Sequence, residues 1–334
     1  MTALPLPRLI RIVGPAMAMA ALALVGALAH AQGYPSRTLT IVVPYPAGGT
    51  ADALARIVAP QLSKSLGQTV VVDNVSGAAG SLGASKMLQA PADGHTLMVA
   101  SPSETILVPQ TMAGVHYKPE DFQLLAMGMH VPTVLVARAN LPQNSVQELL
   151  AYARNPANKE ISYASVGVGS MPHLAGETFQ QLTGAHLLHV PYRGAAPVMQ
   201  ALMSGEVDIS FFPAVGPVLG MASTGKAKIL GVAGSDRGAV PANYPSLGTE
   251  PALKDFAYPA WSSFATARGV PPDRAAKLNK AINDALQAPE VQAWIRETGS
   301  QPPPAASLAE AGAFYQSEVT KLVGQVKAAK LQAN

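Results

Sequence analysis

Cysteine is absent from the 334 residues, which excludes disulfides, zinc–thiolate sites and thiol redox chemistry. Charge and aromatics are sparse, at 13% and 5%. Taking out Arg8 and Arg11 reduces the 23 basic residues to 21 against 20 acidic ones. With so little excess positive charge and no basic stretch to hold phosphates, a nucleic-acid partner is excluded. Long hydrophobic runs are lacking too: only the N-terminus carries one, and it falls short of the roughly 20 residues that cross a bilayer. No low-complexity linker divides the chain. What it has in quantity is 29 Gly and 29 Pro, the punctuation of many tight turns. A chain of this length buries enough apolar surface to fold without disulfides.

The N-terminal run has a specific form. Arg8 and Arg11 make a basic head, Ala16 to Leu28 is uncharged, and Ala29-His30-Ala31 is a small-x-small ending. This pattern predicts a secretory signal peptide over residues 1–31, cleaved after Ala31, and an exported mature protein. A retained membrane anchor is the competing reading, disfavoured by the short apolar core.

Beyond it, short apolar runs alternate with helical patterns. Leu39–Val43, Val70–Val72, Thr96–Val99, Thr133–Val136, Leu187–Val190, Val207–Phe211 and Ile229–Val232 read as strands buried on both faces. Ser145–Glu148 and Ser307–Glu310 have the capping-box spacing that opens helices. Pro60 falls inside a helical pattern (Leu54, Ile57, Val58, Leu62, Leu66) that ends at Gly67, and should kink or locally break it. Such alternation predicts an α/β fold with mainly parallel sheets. Two domains without a linker between them imply a hinged cleft.

Three glycine- and serine-rich loops follow strands and run into helices: Pro44 to Asp52, Ala100 to Thr105, and Ser165 to Ser170. Glycine lets backbone N–H groups approach a ligand, and a helix N-terminus adds partial positive charge, so the natural guest is an anion. The first loop is neither a phosphate-cradling loop nor a dinucleotide fingerprint; an ordinary turn capped by Thr50 or Asp52 is equally consistent with it. Loops of this kind at the carboxyl ends of parallel strands converge on one crevice.

Longer blocks carry a resemblance. Tyr34-Pro35-Ser36-Arg37 is followed by Val43-Pro44-Tyr45-Pro46 with Gly48, Gly49 and Asp52. Asn74 with Gly77, Ala78 and Gly80 precedes Ala90–Leu97. Tyr163–Ser165 with Gly167, Gly169, Ser170 and His173–Glu177 is a third block, and His189–Gly194 with Pro197 leads to Gly205–Asp208. In order and spacing the chain resembles the periplasmic solute-binding proteins of tripartite tricarboxylate transporters, the TctC or Bug family. That resemblance implies a two-domain type II periplasmic binding protein fold, periplasmic location, a small organic carboxylate as ligand and TctA- and TctB-like membrane subunits as partners. It implies no cofactor, no metal, no catalytic residue and a monomer.

It also implies that the ligand is held largely by backbone N–H groups and water. The expected site comprises Tyr45, Ala47, Gly48, Gly49 and Asp52, then Ser101, Ser103, Glu104 and Thr105. The facing domain would supply Ser165, Gly167, Gly169, Ser170, His173, Tyr192 and Phe212. Two positions depart from the family. Glu104 replaces a small residue and either faces the cleft or points to solvent. Phe212-Pro213 stands where many relatives have Asp-Asn, which favours an apolar or aromatic ligand body unless Phe212 only packs in the core. The expected domains are 33–131 plus 257–334, and 132–256, with crossings near His130–Pro132 and Tyr258–Phe264. A triad of Ser165, His173 and Asp208 is imaginable, but no Gly-x-Ser-x-Gly elbow supports catalysis. An exported sensor feeding a membrane kinase would share the same site.

Overall fold

The computed structural model describes residues 33–235, 237–238, 240–258 and 260–331; the expected signal peptide lies outside them. Apolar runs become strands with helices packed on them. In chain order β1 (Leu39–Val43) leads into α1 (Thr50–Leu66), followed by β2 (Val70–Asn74), α2 (Ser81–Gln89) and β3 (Thr96–Ala100). A π-helical turn (Ser103–Leu107) then runs into the one-turn α3 (Val108–Thr111), before β4 (Phe122–Val131). After Pro132 come β5 (Thr133–Arg138), α4 (Val146–Ala153), β6 (Ile161–Ser165), α5 (Met171–Thr183) and β7 (Leu187–Pro191). Next are α6 (Ala195–Ser204), β8 (Ile209–Pro213), α7 (Gly216–Ser223) and β9 (Ala227–Val232). The chain returns through β10 (Ala260–Ala267) to α8 (Pro272–Leu286), α9 (Pro289–Glu297) and α10 (Leu308–Ala328).

Two five-stranded sheets result, ordered β2-β1-β3-β10-β4 and β7-β6-β8-β5-β9. In the first, β1 is parallel to β2 and β3, and β10 is antiparallel to β3 and β4. In the second, β6 is parallel to β7 and β8, and β5 is antiparallel to β8 and β9. Each sheet is therefore mixed, with four strands running one way and one reversed. The reversed strands are those that follow a crossing. Thr133 at the start of β5 pairs with Pro213 at the end of β8, and Ala260 at the start of β10 pairs with Val131 at the end of β4. A chain that changes sheets at the ends of the parallel strands must begin its next strand there.

The first helix ends at Gly67 as expected, and Gly184 and Gly205 close two others, all three left-handed. Ser307 and Glu310 form a complete capping box. Ser145 caps the Glu148 N–H, but Glu148 reaches Asn144 N instead of closing the box. The expected break at Pro60 does not occur: α1 runs unbroken from Thr50 to Leu66, with Leu54, Val58 and Leu62 buried beside Ile41 and Val43. The segment from Ala260 to Phe264, expected as a crossing, is already strand, paired along β4 throughout and with β3 from Ser263 on.

Candidate ligand-binding site

Between the two sheets lies a cavity of about 190 Å³. Val131, Thr133, Pro213 and Ala260, the strand ends at the two crossings, line it. The first sheet contributes Ala47, Gly49, Thr50 and Ala51, with Ser101 to Ser103; the second contributes Met171, Pro172 and Ala195 to Pro197. Phe212, Met129 and Trp261 give it an apolar floor, and among the described residues no charged side chain lines it. Trp261 is fixed by an indole N–H donated to Glu318 Oε2 at 3.0 Å.

Two helices begin at this cavity from opposite sheets, α1 after Gly49 and α6 after Gly194, and no side chain caps either. Their first-turn N–H groups have no intrahelical acceptor, and both dipoles present their positive ends to the same space. The start of α5 is different, because its Met171 N–H is spent on Ser103 Oγ at 3.1 Å, a bond between the two halves of the molecule.

The expected site residues separate into those that line the cavity and those behind it. Tyr45, Ala47, Gly49, Ser101, Ser103 and Phe212 line it. Gly48 does not: its N–H is taken by Asp52 Oδ2 at 2.9 Å. Asp52 is buried and also accepts from Arg56 Nε at 3.0 Å and Asn74 Nδ2 at 3.0 Å. Burial pushes its pKa up, but these bonds outweigh it and hold the carboxyl below the usual carboxylate range. Asp52 thus braces the glycine loop from behind.

Glu104 follows neither of its two readings. It is 0% exposed, and its carboxylate accepts from Tyr45 Oη at 2.9 Å, from Ser101 Oγ at 2.6 Å and from Ser101 N. Burial, only partly offset by these bonds, raises its pKa to about 7. Thr105 is buried as well, its hydroxyl turned to Ser101 O at 2.6 Å.

In the third loop the polar groups are satisfied internally. Ser165 Oγ accepts from Gly167 N at 3.1 Å, Gly169 N donates to His173 Nδ1 at 3.1 Å, and Ser170 Oγ donates to Gly167 O at 2.6 Å. Gly167 instead borders a neighbouring pocket with Val168 and Tyr192, and His173 borders a third with Glu177. Ser165 meets His189 Nε2 at 2.7 Å rather than His173, and Asp208 is engaged by Arg138 and Ser162. Desolvation and the stacked His173 ring lower the His189 pKa to about 4. Ser165 is fully buried and lines none of these pockets, so the imagined triad is not assembled.

Sequence reasoning missed Met171, Pro172, Ala195, Ala196 and Met129 as lining residues. The start of α6 was within reach: Pro191 to Pro197 repeats the strand–glycine–helix arrangement of Pro44 to Thr50.

Two sheets joined by two crossings, with one cavity where uncapped helices converge, define a two-domain periplasmic binding protein fold. Residues 54–330 match the profile of the tripartite tricarboxylate transporter family receptor, TctC, and the chain belongs to that family. It is 33% identical over 326 residues to protein BugT of Bordetella pertussis, covering 96% of this chain and 97% of that one. R. palustris Rpa4515, solved with adipate, superposes with a TM-score of 0.82 at 28% identity, covering 90% of this chain and all of that one. MatC from Rhodopseudomonas palustris, with bound malate, gives 0.80 at 28% identity over 88% of this chain and all of that one. The chain is thus a solute-binding receptor of the TctC/Bug family, a family of periplasmic binding proteins. Fold and family are those of substrate-binding proteins, which are not enzymes.

Proposed function

We propose that this receptor, exported by residues 1–31, captures a small mono- or dicarboxylate with an apolar body and delivers it to TctA- and TctB-like membrane subunits. The observation that supports this most is the pairing of two uncapped helix starts, α1 and α6, across a cavity whose other walls are mainly apolar, with a few hydroxyls. The helix ends attract negative charge, and Phe212, Trp261 and Met129 favour methylene or aromatic carbon between the charged groups. The adipate of one structural relative is such an acid, and the malate of the other shares its two carboxylates on a hydroxylated body. Domains at 33–131 plus 257–334 and at 132–256 would close on the ligand as a single chain.

Calorimetry and thermal shift with adipate, malate, citrate and phenylacetate test the reading. Adipate or phenylacetate is expected to bind more tightly than citrate and to raise Tm in proportion to its affinity. Tighter binding of citrate, a hydroxylated tricarboxylate, would overturn the apolar-body assignment. No binding of any acid would overturn the carboxylate class.

A further inference from the structure

Tyr45 and Ser101 are the hydroxyl-bearing residues of the cavity that lie directly over Glu104, and both direct their only O–H proton away from the ligand. Tyr45 Oη and Ser101 Oγ donate to the same Glu104 oxygen, Oε2, while Ser101 N–H holds Oε1. With Glu104 ionised, the two hydroxyls therefore offer only lone pairs to the cavity. Lone pairs oppose the carboxylate that the helix ends of α1 and α6 attract. A proton on Oε2 removes the conflict: the carboxyl O–H then donates to one hydroxyl, and that hydroxyl is free to donate to the ligand.

We propose that Glu104 is a proton-linked specificity residue, taking up one proton as the carboxylate binds and so converting one hydroxyl of the Ser101–Tyr45 pair from acceptor to donor. The inference rests on the carboxylate reading above. The proton comes from solvent and ends on Glu104; no other bond is made or broken. Nothing else nearby compensates the charge. Among the described residues no basic side chain lies within ion-pair distance of the Glu104 carboxylate. Tyr45, Tyr117 and Tyr315 face the turn from the β1 loop, from the segment before β4 and from α10. Burial raises the pKa of all three, so they are neutral. Lys86 on α2 turns to Asp73, Glu318 on α10 to Trp261, and Asp52 to Arg56. On α5, burial lowers the His173 pKa, although Glu177 opposes it. Gly80, at φ +93°, lets the backbone seal the other side of Glu104, where a Cβ would meet the Glu104 Cβ at 2.9 Å.

Glu104 already titrates at about 7 without a ligand, and an anion beside it raises that value further. Affinity should then be constant below about pH 7 and fall by about tenfold per pH unit above it, until the ligand-bound pKa is passed. Titration calorimetry with adipate at about pH 8, in two buffers of different ionisation enthalpy, counts the protons; uptake of more than about half a proton per adipate is expected. Glu104→Gln, whose amide donates as the protonated acid would, should bind adipate with no proton uptake and a flat pH profile. Infrared difference spectra of the wild type with ¹³C-labelled adipate should show a protonated carboxyl band appearing on binding, independently of any variant. Adipate binding without proton uptake, or uptake that persists in Glu104→Gln, overturns the proposal and leaves the carboxylate reading standing. If adipate and every other acid tested fail to bind, both fall together.

Discussion

Asp52 and Glu104 are buried carboxyls one layer behind the cavity, and their surroundings drive them in opposite directions. Asp52 has a guanidinium, an amide side chain and a backbone N–H, which stabilise its charge; Glu104 has neutral donors and no cation. The two look alike in the sequence, each an acid beside a small-residue loop. The loops themselves were legible because glycine before a helix has a local meaning, but which of their amides stay free was not. That depends on side chains such as Asp52, His173 and Ser165 folding back onto their own loops, and spacing does not encode it. A consequence belongs to Asp52. Because its folded pKa is depressed, its contribution to stability is present above its ordinary pKa of 3.8 and is lost as pH falls through the lower folded value. Asp52→Asn should cost roughly 1–2 kcal/mol at neutral pH and loosen the Gly48-Gly49 loop, weakening ligand binding. Urea unfolding of both proteins from about pH 7 down to about pH 2.5 checks this: the gap between them should close at the acid end. A gap independent of pH would assign the cost to shape instead of charge.

At the scale of elements, strands were readable where apolar residues run almost unbroken and obscure where the sheet accepts several small polar ones. β1 and β5 read as strands at once, whereas β10 carries Ser262, Ser263 and Thr266 and shows no period, although it sits between β3 and β4. Its strand character comes from two neighbours supplied by distant parts of the chain, and local pattern cannot report that. The opposite failure occurs in α1, where Pro60 signals a break that tertiary packing overrides. The exposed Pro60 forfeits a backbone hydrogen bond and crowds the carbonyl one turn earlier, while Leu54, Val58 and Leu62 hold the helix against the sheet. Pro60→Ala should therefore stabilise the protein, by about 1–2 kcal/mol given the roughly 3 kcal/mol interior penalty and some relief by bending. A higher urea midpoint with an unchanged m-value is the expected result. A lower midpoint would mean that the proline bends α1 to fit the sheet.

Across the whole molecule, the two halves meet through few polar links, and Ser103 makes one that matters to the cavity. Its hydroxyl accepts the Met171 N–H, so the first donor of α5 is satisfied by the opposite half only when the halves are together. Thr133 Oγ1 donates to Tyr258 O at a crossing beside the cavity, where the chain itself joins the halves, and Gln181 Nε2 donates to Ala328 O at the C-terminal helix. If closure about the crossings traps the ligand, the Ser103–Met171 bond is part of the closed state's advantage and is absent from the open one. Its removal should lower ligand affinity without lowering the stability of either half. Ser103→Ala is expected to weaken adipate binding by about fivefold, corresponding to about 1 kcal/mol for one hydrogen bond, while its ligand-free Tm stays close to wild type. Small-angle scattering supplies the mechanical test: adipate should shrink the radius of gyration of both proteins, with the variant needing more ligand to reach the same end point. Unchanged affinity together with a ligand-independent radius would show that the halves do not move, and that the cavity fills by local side-chain motion alone.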